Sequence, residues 1–481
     1  MSSVKEPVMH RFGNGLTVLI KEDKSHPVVS LQYWVGTGSM NEGHLQGSGI
    51  SHLLEHLVFK GTENYSGQDL ARKVQERGGH WNAYTSVNRT VFYIDGPAES
   101  WQVFLNLLTE LVFSPTFPEG ELEREKEVVR REMAMYADEP DSVAYQLLMQ
   151  TLYLKHPRRW PVLGQPAVFD TLTREDVLEY HASRYVPNNV VLSIAGDVDA
   201  REVLSHLELL VEDLKARPLN REPLPHEPHQ FGSRTVRKEF AVPYSKLSLA
   251  WRLPCSAHPD TPALSALASI LGGGRSARFY EKFHDRLGLV YSIEVHSNQS
   301  ESDEGAFTIT MDVDRAQRDK VRDLVLQELR DLEREDFTED LKRVCKQTRV
   351  SRLSRKSSAS GMASEMGADW FGARNLNLSS EWQEAIERVT SEDLHRVCAG
   401  WLSSPNVTEV SLDPLGSNAE EVPSGSEKTD TVLSELVLSN GLKVVVREDH
   451  RLPLAHVCLV FKAGCPAENE QNAGVTDLMS E

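Results

Sequence analysis

The sequence predicts an α+β protein of repeated two-layer domains, each a mixed, largely antiparallel sheet packed by helices. Three observations carry this: an internal repeat, short strands and long helices that do not alternate, and two polar linkers. With 481 residues, the chain exceeds what one hydrophobic core supports, so two or three domains are expected.

The repeat appears when the chain is compared with itself. Residues 14–23 read Asn-Gly-Leu-Thr-Val-Leu-Ile-Lys-Glu-Asp, and residues 440–449 read Asn-Gly-Leu-Lys-Val-Val-Val-Arg-Glu-Asp. The match continues through Pro27 with Pro453, Gly38 with Gly464 and, after a one-residue gap, Gly49 with Gly474. Each copy reads as an Asn-Gly turn feeding a strand, followed by a second β-branched and aromatic strand, 28–35 and 454–461, so each is expected to be a hairpin opening a domain. The second copy stops about 50 residues in, which reads as a truncated repeat.

Residues 214–234 are Pro-rich and polar, and residues 415–430 are rich in Gly, Ser and acid; both are linker compositions. They divide the chain into a domain at 1–213, a second at 235–414, and the start of a degenerate third unit at 431–481. Short strands at 190–195, 246–252 and 306–313 mix with amphipathic helices at 122–136 and 316–335. That order favours α+β layers over a doubly wound sheet.

A net charge of −19 argues against nucleic acid, which demands clustered Lys and Arg. It suits cationic peptides and also keeps a large protein soluble. No apolar run reaches the roughly 18–20 residues of a membrane span. The five cysteines, Cys255, Cys345, Cys398, Cys458 and Cys465, are scattered without a CxxC pair, as expected of reduced thiols. The first residues show no export or transit pattern, so a cytoplasmic location is expected, with periplasm or mitochondrion the alternatives where a targeting segment has been removed.

The chemistry-bearing motif is Ser51-His52-Leu53-Leu54-Glu55-His56 in an apolar segment. Residues i and i+4 share a helix face, so both imidazoles can reach one ion, with Glu55 beside them. A chance motif of this kind is expected in roughly one chain in twenty of this size, so a third ligand is needed. Catalytic zinc takes three protein ligands and an open position. The acidic helix around 121–133 offers Glu125 and Glu132, seven apart on one face; in isolation such a run is also compatible with a solvated Glu–Arg face. In the second copy Asp477, Ser480 and Glu481 stand where His52, Glu55 and His56 stand: that copy has lost the motif.

His52-Leu53-Leu54-Glu55-His56, with Glu132 76 residues beyond His56 and seven beyond Glu125, resembles the M16 metallopeptidase family of pitrilysin, insulin-degrading enzyme and mitochondrial processing peptidase. The resemblance implies the M16/LuxS-like fold and one zinc per chain. It makes His52, His56 and Glu132 the ligands, Glu55 the catalytic base and Glu125 a carboxylate that orients a ligand. It implies a zinc endopeptidase of extended or unfolded peptides, in which Glu55 activates a zinc-bound water; the alternative is a non-catalytic structural or partner subunit. The segment around Asn82, Ala83 and Tyr84 is similar to the family strand lying beside the zinc, which implies a peptide-binding edge. His10, His26, His44 and His80 read as surface residues.

In the second domain, the family's clamp arginine, seven residues before a tyrosine matching Tyr291, is replaced by His284. The clamp is therefore expected in a missing C-terminal half or a partner M16 subunit. Gly272-Gly273-Gly274 follows an apolar helix and lacks a Lys-Ser/Thr ending, so a helix end is expected there and a phosphate loop is not.

Overall fold

The computed structural model describes residues 6–219, 223–299, 305–402, 405–416 and 433–447. They belong to two compact units, Met1–Ser417 and Asn418–Glu481. The first contains two sheets, each with its own core.

The first sheet is built from β1 (Val8–Arg11), β2 (Thr17–Glu22), β3 (Val28–Val35), β4 (His80–Thr85), β5 (Thr90–Pro97) and β6 (Val190–Gly196). Its order is β1-β2-β6-β3-β5-β4. Only β2 and β6 run parallel; the other pairs are antiparallel. The first hairpin differs from the expected one: β1 and β2 pair across Asn14-Gly15, and β6 separates β2 from β3. The turn itself matches its sequence, with Gly15 at φ +90° and the Leu16 N–H donating to Asn14 Oδ1 at 3.1 Å. The reason for the insertion is burial. Val190–Gly196 is buried at every position, and an apolar strand buried on both faces belongs in a sheet centre.

Helices α1 (Ile50–Val58), α2 (Gly67–Gln75), α3 (Trp101–Phe113), α4 (Glu121–Asp138) and α5 (Pro140–Leu152) follow. Leu53, Leu54 and Leu57 of α1 and Phe104 and Leu108 of α3 pack with Leu31, Tyr33 and Phe92 of the sheet in one core.

The second sheet joins β7 (Arg234–Phe240), β8 (Ser245–Leu253), β9 (Val290–Asn298), β10 (Gly305–Val313) and β11 (Thr408–Pro414) in the order β7-β11-β8-β10-β9. Its first and last strands are parallel and the rest antiparallel. This is the arrangement of β2 to β6, strand for strand. In that correspondence, the helix Thr261–Gly272, between β8 and β9, stands where α1 stands between β3 and β4.

The halves interlock by exchanging helices. Leu148, Met149 and Leu152 of α5 pack with Ala250, Ala306 and Val410 of the second sheet. Reciprocally, Ala363 and Met366 of the helix Ala359–Ala373 pack with Leu19, Trp34 and Val191 of the first. Gly367 allows that approach, because a Cβ there would lie 2.3 Å from the Trp34 ring. The domains read from the linkers are thus two sheets of one compact unit.

In Asn418–Glu481, β12 (Leu433–Val437) and β13 (Lys443–Arg447) form an antiparallel hairpin. It repeats the first turn: Gly441 has φ +86° and the Leu442 N–H donates to Asn440 Oδ1 at 3.1 Å. The remaining repeat positions, including Pro453, Gly464, Gly474, the 454–461 strand, Asp477, Ser480 and Glu481, lie outside the described residues, as do Cys458 and Cys465. Among the described residues, no disulfide joins Cys255, Cys345 or Cys398, and no helix is long and apolar enough to cross a membrane.

Candidate metal centre

Helix α1 starts abruptly after Gly49, at φ +73°, where a Cβ would meet the Leu163 carbonyl oxygen at 2.0 Å. The donors of its first turn have no side-chain N-cap. Instead the buried Glu42 accepts the N–H of Gly49 at 3.2 Å on one oxygen and that of Ser51 at 3.1 Å on the other. Its two oxygens satisfy orphan N–H groups of the helix start. The Tyr180 hydroxyl bonds both Ser51 Oγ, at 2.8 Å, and Thr37 Oγ1, at 2.7 Å. The apolar face of α1 enters the core, leaving His52, Glu55 and His56 half-buried on the other side.

That face meets α4. His52, His56 and Glu132 each bring one donor atom within 4.8 Å of the others. Glu132 Oε2 lies 3.8 Å from Nε2 of each histidine. A tetrahedral zinc with bonds of about 2.1 Å sets its donors about 3.4 Å apart, so the group fits such an ion with small adjustments. Burial, with the neighbouring His56, lowers the His52 pKa to about 3, favouring the neutral imidazole that ligation requires.

Glu125, one helical repeat before Glu132, accepts from His56 Nδ1 at 3.2 Å and from Lys60 Nζ at 2.6 Å. Burial pushes its carboxyl up, but these two donors outweigh it and hold the pKa below the ordinary value. A proton on Nδ1 leaves Nε2 as the free donor atom towards Glu132.

Glu55 lies outside the three-donor group, on the same helix. Its Oε2 accepts the Thr85 hydroxyl at 2.5 Å. Burial raises its pKa, opposed by the Thr85 bond. Thr85 belongs to β4, which among the described strands pairs with β5 alone, at the sheet edge. Alternation puts Trp81, Ala83 and Thr85 on its half-buried face and His80, Asn82 and Tyr84 on its exposed face. Ala83 therefore shares the side of Glu55's partner, while Asn82 and Tyr84 point the other way; Asn82 Oδ1 accepts the Ala83 N–H at 2.8 Å.

Sequence reasoning missed Thr85, Lys60, Glu42 and Tyr180. Strand alternation from Ala83 pointed to Thr85, and Lys60 stands four residues after His56. Glu42 and Tyr180 have no local signal, since tertiary packing brings them to the helix start. In the second half, His284 stacks on Tyr280 with ring centroids 4.3 Å apart and bonds Asp285 at 2.7 Å. The Gly273 N–H donates to Ser269 O at 2.9 Å, so the Gly run closes a helix C-terminus, the end with the wrong polarity for phosphate. His10, His26, His44 and His80 are exposed.

The comparisons agree with a protease scaffold of this class. The family Insulinase (Peptidase family M16) matches residues 17–165 and Peptidase M16 inactive domain matches residues 171–347. An uncharacterized zinc protease of Rickettsia felis is 27% identical over 391 residues, 79% of this chain and 91% of that protein. One from Bacillus subtilis is 29% identical over 328 residues, 68% of this chain and 78% of the relative. The crystal structure of a protease from Helicobacter pylori superposes with a TM-score of 0.79 at 26% identity, covering 85% of this chain and all of that one. The chain belongs to peptidase family M16. The helix Thr261–Gly272, in the place of α1, carries no His or Glu, in keeping with the name of the second match.

Proposed function

We propose that this chain is a zinc-dependent endopeptidase acting on extended or unfolded peptides. His52, His56 and Glu132 hold one zinc per chain, Glu55 is the general base and Glu125 orients His56. The observation that carries the reading is the convergence of these three donors from two helices, with Glu55 beside them. When bound, zinc supplies a water acidified towards neutrality and a Lewis acid for the scissile carbonyl.

The chain's own groups do the rest. Glu55, raised by burial and steadied by Thr85, takes the proton of the attacking water and returns it to the leaving amine. The free edge of β4 aligns the peptide by main-chain hydrogen bonds, which make little demand on substrate sequence. Ala83 supports the strand on the Glu55 side, and Asn82 and Tyr84 contact the outer side. A second half or partner M16 subunit completes the enclosure, and the five scattered cysteines without a CxxC pair favour a reducing compartment such as the cytoplasm.

The test is metal analysis with a quenched-fluorescent peptide, with and without a supplied M16 partner. One zinc per chain is expected, with hydrolysis lost to a chelator and restored by zinc. Hydrolysis that persists in metal-free protein would refute the proposal.

Glu125→Gln gives a graded result. It keeps the shape but weakens the bond that fixes His56, so zinc affinity should fall roughly 10- to 100-fold. Competition with a chromophoric chelator measures this; unchanged affinity would remove Glu125 from its assigned role.

A further inference from the structure

A cavity of about 360 Å³ opens between the β1–β2 turn, the start of β6 and the end of the helix Ala359–Ala373. Two guanidiniums, Arg11 and Arg374, line it, together with Trp370, Phe371, Thr17 and Asn188. Neither arginine has a carboxylate partner among the described residues. Both are exposed at the cavity rim, whereas the less exposed Arg318 and Arg352 are paired with Asp413 and Glu365. Two unneutralised cations at one cavity stand out in a chain of net charge −19.

The backbone adds a second observation. Arg374 caps its helix in the left-handed region, φ 54°, ψ 31°, a conformation that is strained for a non-glycine residue. Glycine would sit there without strain, yet the position holds an arginine whose guanidinium lies 5.9 Å from the Trp370 ring centroid. Burial and the charge of Arg11 both lower the Arg374 pKa, so each makes its uncompensated charge less favourable.

The rings of Trp370 and Phe371 add an apolar wall beside the two guanidiniums. Two guanidinium forks and aromatic walls are together a recognition set for an oxyanion on a flat apolar group.

We propose that this cavity is a binding site for a small carboxylate or phosphate carried on a flat apolar group, held by Arg11 and Arg374 against the rings of Trp370 and Phe371. It is separate from the metal centre and does not depend on peptidase activity. Its size admits a small molecule.

The test is thermal unfolding of the metal-free full chain at constant ionic strength, titrated with phenyl phosphate, benzoate or inorganic phosphate. Removing the metal keeps oxyanion binding at His52, His56 and Glu132 out of the readout. Phenyl phosphate or benzoate should raise Tm saturably by about 2 °C or more at about 10 mM, and whichever acts more strongly identifies the anion. Inorganic phosphate should act less. The rise should vanish in Arg11→Ser and in Arg374→Gly, the latter relieving backbone strain and so expected to fold at least as well without ligand. No saturable rise with either aromatic anion, or equal rises in the wild type and both variants, would overturn the proposal.

Discussion

Replacing Glu55 with glutamine is expected to lower kcat by roughly 10²- to 10⁴-fold while leaving the zinc content unchanged. The amide has the volume of the carboxylate and can still accept the Thr85 hydroxyl, so the α1 to β4 contact survives. His52, His56 and Glu132, the grouped donors, are untouched. Only the basic oxygen is lost. Zinc analysis beside peptide turnover separates the two effects: a fully active Glu55→Gln chain would end the general-base assignment, and a metal-free variant would show that Glu55 serves ligation instead. Burial already raises the Glu55 pKa, which brings a carboxylate closer to the operating pH and makes it a better base than an exposed glutamate.

How much of this was legible from residues alone depends on how local each cause is. The strand at 28–35 occupies those positions, and the helix expected at 122–136 runs from Glu121 to Asp138, because periodicity and flanking breakers are local signals. The three grouped donors were legible in part: His52 and His56 share one helical turn, whereas the choice of Glu132 over Glu125 came from the family resemblance and not from a local pattern. The exchange of α5 for the helix Ala359–Ala373 was not, since an apolar face shows that a helix is buried but not against which sheet. Nor was β6 between β2 and β3, because its partner strands lie more than 150 residues away. The correspondence of β2–β6 with β7–β11 is a matter of pairing order, which residue identities do not record.

Glu42 shows that long-range dependence most clearly, and it yields a pH prediction. Burial raises its carboxyl from an ordinary 4.5 to about 8, even against the N–H donors of Ser51 and Gly49. Between those values the folded chain holds a proton that the unfolded chain has released, so stability falls as pH rises. His52 and His181, lowered by burial to about 3 and about 4 from 6.5, act with the opposite sign: their contribution is lost as pH falls below 6.5. From roughly pH 6.5 to 8 the histidines contribute little, and Glu42 should lower the unfolding free energy of metal-free protein by about 2 kcal/mol. Glu42→Gln, which cannot ionise, should flatten this alkaline limb and leave the acid limb in place. Urea unfolding at pH 6.5 and 8 in chelator measures both limbs' boundary directly. Equal slopes in variant and wild type would mean that the carboxyl is already ionised in the folded chain, with the helix-terminal N–H groups outweighing desolvation. In either case the result reports on the start of α1, and therefore on what holds His52, Glu55 and His56 against α4.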